Sequence, residues 1–479
     1  MRIPETAVRL LKALTYCYGC LSMLCCGLLY SFSFWAPVVK QQFGWTQAQL
    51  DLVGACGNLG NWMTSFLSGL AVDTFGGRFV SPAAGLFAFT GFFLMSLAFP
   101  TAGGSEPPVP ANSSLYCCFY FLVGMSSCTS FNSSLVPNVI NLGARRRSLV
   151  VGSLLGFLGL SSAGMVFLFR FGFGGSDARG FFEFLSFFML GVWASGLLCL
   201  WTFPPAPAPD KMPLLSLSIN AQEDLFGMSS DDSPANQRFF GRGGTLQMWF
   251  RKKAFTQWSF WVIFLVLLLA QSSSMVIINH VGLFVSPDMR FWAVISQSIF
   301  NAAGRILIGA LSNAAAYRAV PLQIPDDPDA FLATSPGLTA PYRFRGVRQS
   351  VLISVCCGVM VACFGAMTFL IGRSDWAVLI LGSLAVCSFG ANFALFPAVI
   401  SLWYGEASMG VHYGVSQLGL GFGVVGLNYL VGWLYDRLGG YLVPMLITTS
   451  VAACGLGLSI LLWKEERRRA LSIVQMGRM

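Results

Sequence analysis

Arg305 is the residue whose position does most to suggest a chemistry. It stands inside an apolar run, roughly nine residues and about 13 Å from the nearer end of that run at 1.5 Å per residue. A guanidinium at that depth costs about 2.5–3.5 kcal/mol on insertion scales, so it faces a cavity or a partner rather than lipid. Its fixed fork of donors is a bidentate match for a carboxylate, which makes a small organic anion the natural solute. The alternative is a structural arginine held by backbone carbonyls or by Asn301, one turn earlier on the same face. Asn279 inside another span and Lys40 at the outer end of the first are further candidate solute contacts. Interhelical hydrogen bonding and interfacial anchoring are the competing roles for these two. Trp62, Tyr30 and Asn61 add polar or aromatic groups within spans. No Asp or Glu falls mid-span, since Asp51, Glu183 and Asp436 lie near outer ends and Glu406 in a loop. With no proton-coupling carboxylate visible, facilitated diffusion, anion exchange, or coupling through Lys40, His280 or the solute remain open.

A second set of residues suits gating. Gly69, Asp73, Gly76, Gly77 and Arg78 stand in GLAVDTFGGR at the end of the second apolar run. A carboxylate there can accept hydrogen bonds from the N-terminus of the eleventh helix and pair with Arg78 or with Arg145, Arg146 or Arg147. Such a latch needs to bias two states by only a few kcal/mol. Arg145 to Arg147 serve equally well as a positive anchor beside the membrane. Catalytic and metal chemistry find no constellation. There are only two histidines, His280 and His412, and Cys17 and Cys20 form a CxxC with no second pair at metal spacing. Neither an enzyme nor a metal or cofactor is expected.

The elements that carry these residues follow from composition. The 479 residues are 55% hydrophobic and 10% charged, against roughly 25% charged in a soluble domain, which excludes a soluble globular enzyme. Mean hydropathy is +0.67, and a membrane helix needs about 20 apolar residues. Apolar runs fall at 14–38, 51–73, 79–100, 114–140, 148–170, 180–203, 256–280, 290–314, 349–371, 376–402, 411–435 and 440–463, predicting an all-α polytopic membrane protein of twelve helices. Of the 29 basic residues, Lys40, Arg170, Arg179, Arg290, Arg373 and Arg437 fall on one side and Arg305 inside a span. The rest lie on the side of the termini, which the bias makes cytoplasmic. The net charge of +9 is thus a topology signal and not a sign of nucleic acid. The 14 cysteines all lie in spans, where they read as small packing residues. The sequon at Asn112 lies in an outer loop, whereas that at Asn132 is inside a span.

The chain divides into a six-helix bundle over 1–203, a Pro-rich then acidic cytoplasmic loop over 204–255, a second bundle over 256–463 and a tail over 464–479. The loop's Ser216, Ser218, Ser229, Ser230 and Ser233 leave room for cytoplasmic regulators, and 315–348 forms a second long loop. Gly69, Asp73 and Arg78 recur as Gly309, Asn313 and Arg318 at the same spacings half a chain later, which predicts a parallel internal repeat. Glycines concentrate in the second, fifth, eighth and eleventh spans, where small residues let helices approach closely and slide.

Residues 69–78 resemble the signature loop of the major facilitator superfamily. LLYSFSFWAPVVKQQFGWTQAQLDLVG at 28–54, GSLLGFLGLSSAG at 152–164, SIFNAAGRILIGALSN at 298–313, GANFALFPAVIS at 390–401 and GWLYDRLGG at 432–440 resemble its nodulin-like branch, distantly similar to monocarboxylate transporters. The resemblance implies a twelve-helix major facilitator fold with alternating access and a solute site between two six-helix bundles. Lys40 resembles the lysine that monocarboxylate transporters carry at the end of their first span. Asn301 departs from their pattern, which has an Asp at that spacing before the Arg.

The expected protein is a multi-pass membrane transporter of a small organic solute, with the lipid bilayer and a small molecule as its partners and a monocarboxylate-like anion as first choice of solute. Two rivals remain at this level. One is a carrier of a neutral or cationic solute or metal chelate, with Arg305 structural. The other is a non-transporting sensor or scaffold, against which the intact signature at 69–78 weighs. The plasma membrane and an organelle membrane are equally compatible with these features.

Overall fold

The computed structural model describes residues 4–100, 108–142, 147–203, 255–314, 318–321, 342–345, 348–404 and 409–476. Its first half comprises α1 (Glu5–Cys26), a 3-10 turn (Leu28–Ser31), α2 (Phe32–Phe43), α3 (Gln47–Met63), α4 (Ser65–Phe75), α5 (Gly77–Leu97), α6 (Ser113–Leu142), α7 (Arg147–Phe167), α8 (Ala178–Ala194) and α9 (Gly196–Cys199). The second half comprises α10 (Trp258–Val266), α11 (Ser272–Phe284), α12 (Arg290–Ala314), α13 (Gln349–Leu370), α14 (Asp375–Tyr404), α15 (Met409–Leu438) and α16 (Leu442–Met476). Single π turns extend α7 over Leu168–Gly172 and join α10 to α11 over Leu267–Gln271. Two short strands, β1 (Arg318–Pro321) and β2 (Tyr342–Arg345), pair antiparallel between α12 and α13.

Among the described residues eleven helical stretches, with α8 and α9 taken together and α10 and α11 joined through their π turn, are long and apolar enough to cross a membrane, and the protein is an integral, multi-pass membrane protein. The expectation of twelve differs at one place. The run over 51–73 is split into α3 and α4, of 17 and 11 residues, each too short to span alone. The break falls at Thr64. Its Oγ1 donates to the Gly60 carbonyl at 2.5 Å, one turn back, and such back-bonding competes with the helix ladder. The two pieces abut at Thr64 with φ −88° and ψ −2°.

Local signals fix the ends of the elements around the site. A capping box of Thr46 and Gln49 starts α3. Gly44, at φ 67°, closes α2. Gly76 sits at φ 83° between α4 and α5, a conformation that favours glycine and turns the chain sharply there.

α5 packs between α6 and α8, and α13 between α14 and α16. The two halves meet along two seams, α4 on α15 and α7 on α12. The last helix is longer than its apolar run, since α16 continues through residues 464–476, where a tail is expected from the sequence. Glu465, Glu466 and Arg469 are buried there. Arg469 donates to Glu465, to the Trp403 carbonyl and to Gln257, and Glu466 accepts from the first backbone N–H groups of α13. The loop over 204–254, Arg145 and Arg146, and most of 315–348 lie outside the described residues.

Candidate solute site and gate

Arg305 lies on α12 with none of its surface exposed. Its Nε donates to Asn301 Oδ1 at 2.9 Å, the spacing of one helical turn, and its Nη1 donates to the Leu155 carbonyl of α7 at 3.1 Å. The second bond crosses from one half of the chain to the other. The guanidinium carbon stands 4.7 Å from the centre of the Phe393 ring on α14. Its Nη2 makes no hydrogen bond within 3.5 Å, although the Tyr30 side chain stands near enough to the guanidinium for a longer one. A buried charged group with a free donor is costly unless something accepts from it, so the geometry leaves one defined place for an acceptor.

A cavity lies nearby; Arg305 does not itself line it, but the Phe393 ring that the guanidinium faces does. Its walls include Cys26, Tyr30, Asn61, Trp62, Ser65 and Phe131 from the first half and Phe393, Tyr413 and Gln417 from the second. Tyr30, Tyr413 and Cys26 all interact electrostatically with the Arg305 guanidinium. The free volume is about 30 Å³, room for about two water molecules. Around it three more buried side chains lack partners, namely Trp62 Nε1, Tyr413 OH and both ends of the Gln417 amide. No Asp or Glu lines it among the described residues.

The sequence singles out Arg305 and Asn301, and the structure brings them together. It places Asn279 elsewhere, exposed on α11, with its Nδ2 donating to Asn428 Oδ1 at 3.1 Å. Lys40 is half-buried in the last turn of α2 and does not line the cavity. Phe131, Phe393, Tyr413 and Gln417 escape the reading of the sequence. Three of them are aromatic residues among many, and only Gln417, an amide in mid-span, carries a signal of the kind that picks out Asn301.

The Asp73 end is built from close backbone approach. A Cβ on Gly69 would overlap the Gly410 carbonyl group, so α4 and α15 touch there as only glycine permits. This brings Asp73, one turn on, to the start of α15. Its Oδ2 accepts from the Val411 N–H at 2.8 Å and its Oδ1 from the Gly410 N–H at 3.2 Å. Unpaired N–H groups and the positive end of the helix dipole favour a carboxylate at that point. Arg78 turns away into its own half. Its Nε donates to the Leu197 carbonyl at 2.5 Å and its guanidinium lies 4.0 Å from the Trp201 ring centre. Gly77 faces the Ser133 carbonyl of α6, again at a distance that leaves no room for a Cβ.

The other seam has the same construction. A Cβ on Gly152 would lie 2.8 Å from the Gly309 Cα, one on Gly309 would lie 2.6 Å from the Ser148 carbonyl oxygen, and one on Gly159 would lie 2.7 Å from the Ala302 nitrogen.

Residues 16–211 match the family model described as Nodulin-like. The match runs from α1 to just beyond α9 and leaves Arg305 and the rest of the second half outside it. No curated protein matches the chain. Together, the match and the many apolar helices fit a transporter similar to the Nodulin-like family.

Proposed function

We propose that the protein is a secondary transporter of the major facilitator type that carries a small organic anion, monocarboxylate-like in its charged end, by alternating access. The observation that carries this reading is the free Nη2 of a fully buried Arg305 beside a cavity walled from both halves of the chain. The solute's carboxylate accepts from that nitrogen, and the absence of any carboxylate among the described lining residues favours an anion over a cation. In this reading α3 and α4 together make the twelfth span, the halves up to 203 and from 256 are six-helix bundles, and both termini are cytoplasmic, as the distribution of basic residues supports. The solute leaves chemically unchanged. The bundles rock about the glycine-lined seams, and the Asp73 contact with α15 holds one end shut until it is released.

A second reading draws on the bonds Arg305 already makes. With Nε on Asn301 and Nη1 on the Leu155 carbonyl, it can serve as a strut between halves around a neutral solute. Uptake into proteoliposomes separates the two. Anion uptake by the wild-type chain that falls at least about 100-fold in Arg305→Gln supports the solute role, since a lost charge-assisted pair is worth a few kcal/mol. Uptake that survives the substitution sinks it and leaves the strut.

A further inference from the structure

The rings around the cavity meet across the boundary between the two halves. Phe131 of α6 lies 5.7 Å from Tyr413 of α15 at an interplanar angle of 21°, and 6.1 Å from Phe393 of α14. Trp62 of α3 lies 6.1 Å from the same Phe393. Every one of these contacts joins a first-half helix to a second-half helix, so any motion that parts the halves uncovers their faces. Beside them stand polar groups without partners, each at least nine-tenths buried: Trp62 Nε1, Tyr413 OH, Gln417 Nε2 and Arg305 Nη2. Gln417 Oε1 is also without a partner and can accept, but the indole and guanidinium nitrogens only donate, so donors outnumber acceptors in the set.

We infer that the solute is an aromatic carboxylate, its ring held between Phe131 on one side and Tyr413 and Phe393 on the other, its carboxylate on Arg305. This deepens the anion-transporter reading and rests on it.

Three points of geometry support the assignment. A flat ring in contact on both faces needs about 7–8 Å between the rings that hold it, at 3.5–4.0 Å per contact. Phe131 and Tyr413 are nearly parallel with centroids 5.7 Å apart, so they stand closer than that separation and must part by about one ring-contact distance, about 3.5–4 Å, to admit a ring. The present free volume of about 30 Å³ admits water and not the ring, so loading requires that parting. An aromatic solute then restores on both sides the ring contacts that opening removes, whereas a short aliphatic acid leaves the ring faces bare. An amino acid is disfavoured in turn, because no carboxylate among the described lining residues stands ready for its ammonium.

The test uses three labelled compounds in proteoliposomes of the full chain: phenylpyruvate, which has ring and carboxylate; pyruvate, which lacks the ring; and phenylalanine, which adds an ammonium. Uptake efficiency for phenylpyruvate is expected to exceed that of both others by at least about tenfold, the scale on which an apolar contact discriminates. Phe131→Leu should erase that preference, and Phe131→Tyr, which keeps a ring, should retain it. Pyruvate carried as well as phenylpyruvate overturns the aromatic assignment and leaves the anion reading standing. Phenylalanine carried best overturns it as well, in favour of a zwitterion. Phenylpyruvate carried undiminished by Arg305→Gln removes the carboxylate contact and, with it, the anion reading, while a surviving effect of Phe131→Leu would keep the ring grip. Uptake of none of the three, with no thermal stabilisation by phenylpyruvate, overturns both.

Discussion

The two seams between the halves are built alike and loaded differently. Along α4 and α15, Gly69 lies against the Gly410 carbonyl; along α7 and α12, Gly309 lies against Gly152 and the Ser148 carbonyl. Gly69 and Gly309 hold the same place in the repeated motif. Each seam also carries a charge that reaches across to backbone groups of the other half. At the first seam it is Asp73, half-buried at a helix end, on the N–H groups of Gly410 and Val411. At the second it is Arg305, wholly buried in mid-helix, on the Leu155 carbonyl. Depth decides what each charge is good for. Asp73 can exchange its two backbone donors for water when the seam opens, so breaking that contact is inexpensive and the contact suits a switch. Arg305, wholly buried in mid-helix, must keep a partner through the cycle, so it suits the holding of a charged solute.

The largest effect expected from breaking this comparison is at the second seam. In Gly152→Val, the new Cβ would stand 2.6 Å from the Arg305 carbonyl oxygen and 2.8 Å from the Gly309 Cα, with backbone on every side and no side chain to yield. Overpacking of that kind costs about 1–3 kcal/mol, and here it also pries apart the helix that carries Arg305. Uptake should fall about 100-fold or the folded protein should fail to accumulate, as uptake assays and thermal melting would record. Gly164→Val on the same helix α7, where nothing lies within 4 Å, should be nearly silent. Equal behaviour of the two variants would remove the close approach from the account.

Next in size is the latch. Asp73→Asn keeps the shape of the side chain and removes its charge from the start of α15. A charge-assisted hydrogen bond is worth about 1.5–3 kcal/mol, to be discounted here because the group is half-exposed. A net shift of about 1.4 kcal/mol, or tenfold, toward the state open at that end is expected. Hydrogen exchange at the Gly410 and Val411 amides reads it directly and should quicken about tenfold, while the melting temperature moves little. Unchanged exchange would mean that Asp73 contributes nothing to closure.

How much of this was legible in the sequence depends on range. Arg305 and Asn301 are one turn apart, and their bond follows from helix geometry alone. The glycine seams were foreshadowed because only glycine allows helices to approach so closely, and the expected contact of Asp73 with the helix over the apolar run 411–435 appears as hydrogen bonds to the first turn of α15. The break at Thr64 was hidden because nothing in the sequence sets that threonine apart from those that bond back to a carbonyl inside unbroken helices, such as Thr129 and Thr368. The ring contacts of Phe131, Phe393 and Tyr413 were hidden for a different reason. They are contacts between distant segments, and among 43 phenylalanines no spacing marks the ones that converge.

Arg78 sharpens the comparison by being expected to matter least, although it belongs to the same motif as Asp73. Both of its contacts, the Leu197 carbonyl and the Trp201 ring, lie within the first half, so neither is made or broken when the halves move against each other. Arg78→Ala should therefore lower stability by about 0.5–1 kcal/mol, the worth of a cation–π contact at an exposed site, without altering the balance between open and closed states. The measurement is paired: thermal melting should drop slightly in Arg78→Ala, and exchange at the Val411 amide should stay at the wild-type rate. Faster exchange there, equal to that of Asp73→Asn, would mean that Arg78 supports the latch through Asp73 after all, and that the motif acts as one unit across both halves rather than as a latch beside a separate anchor.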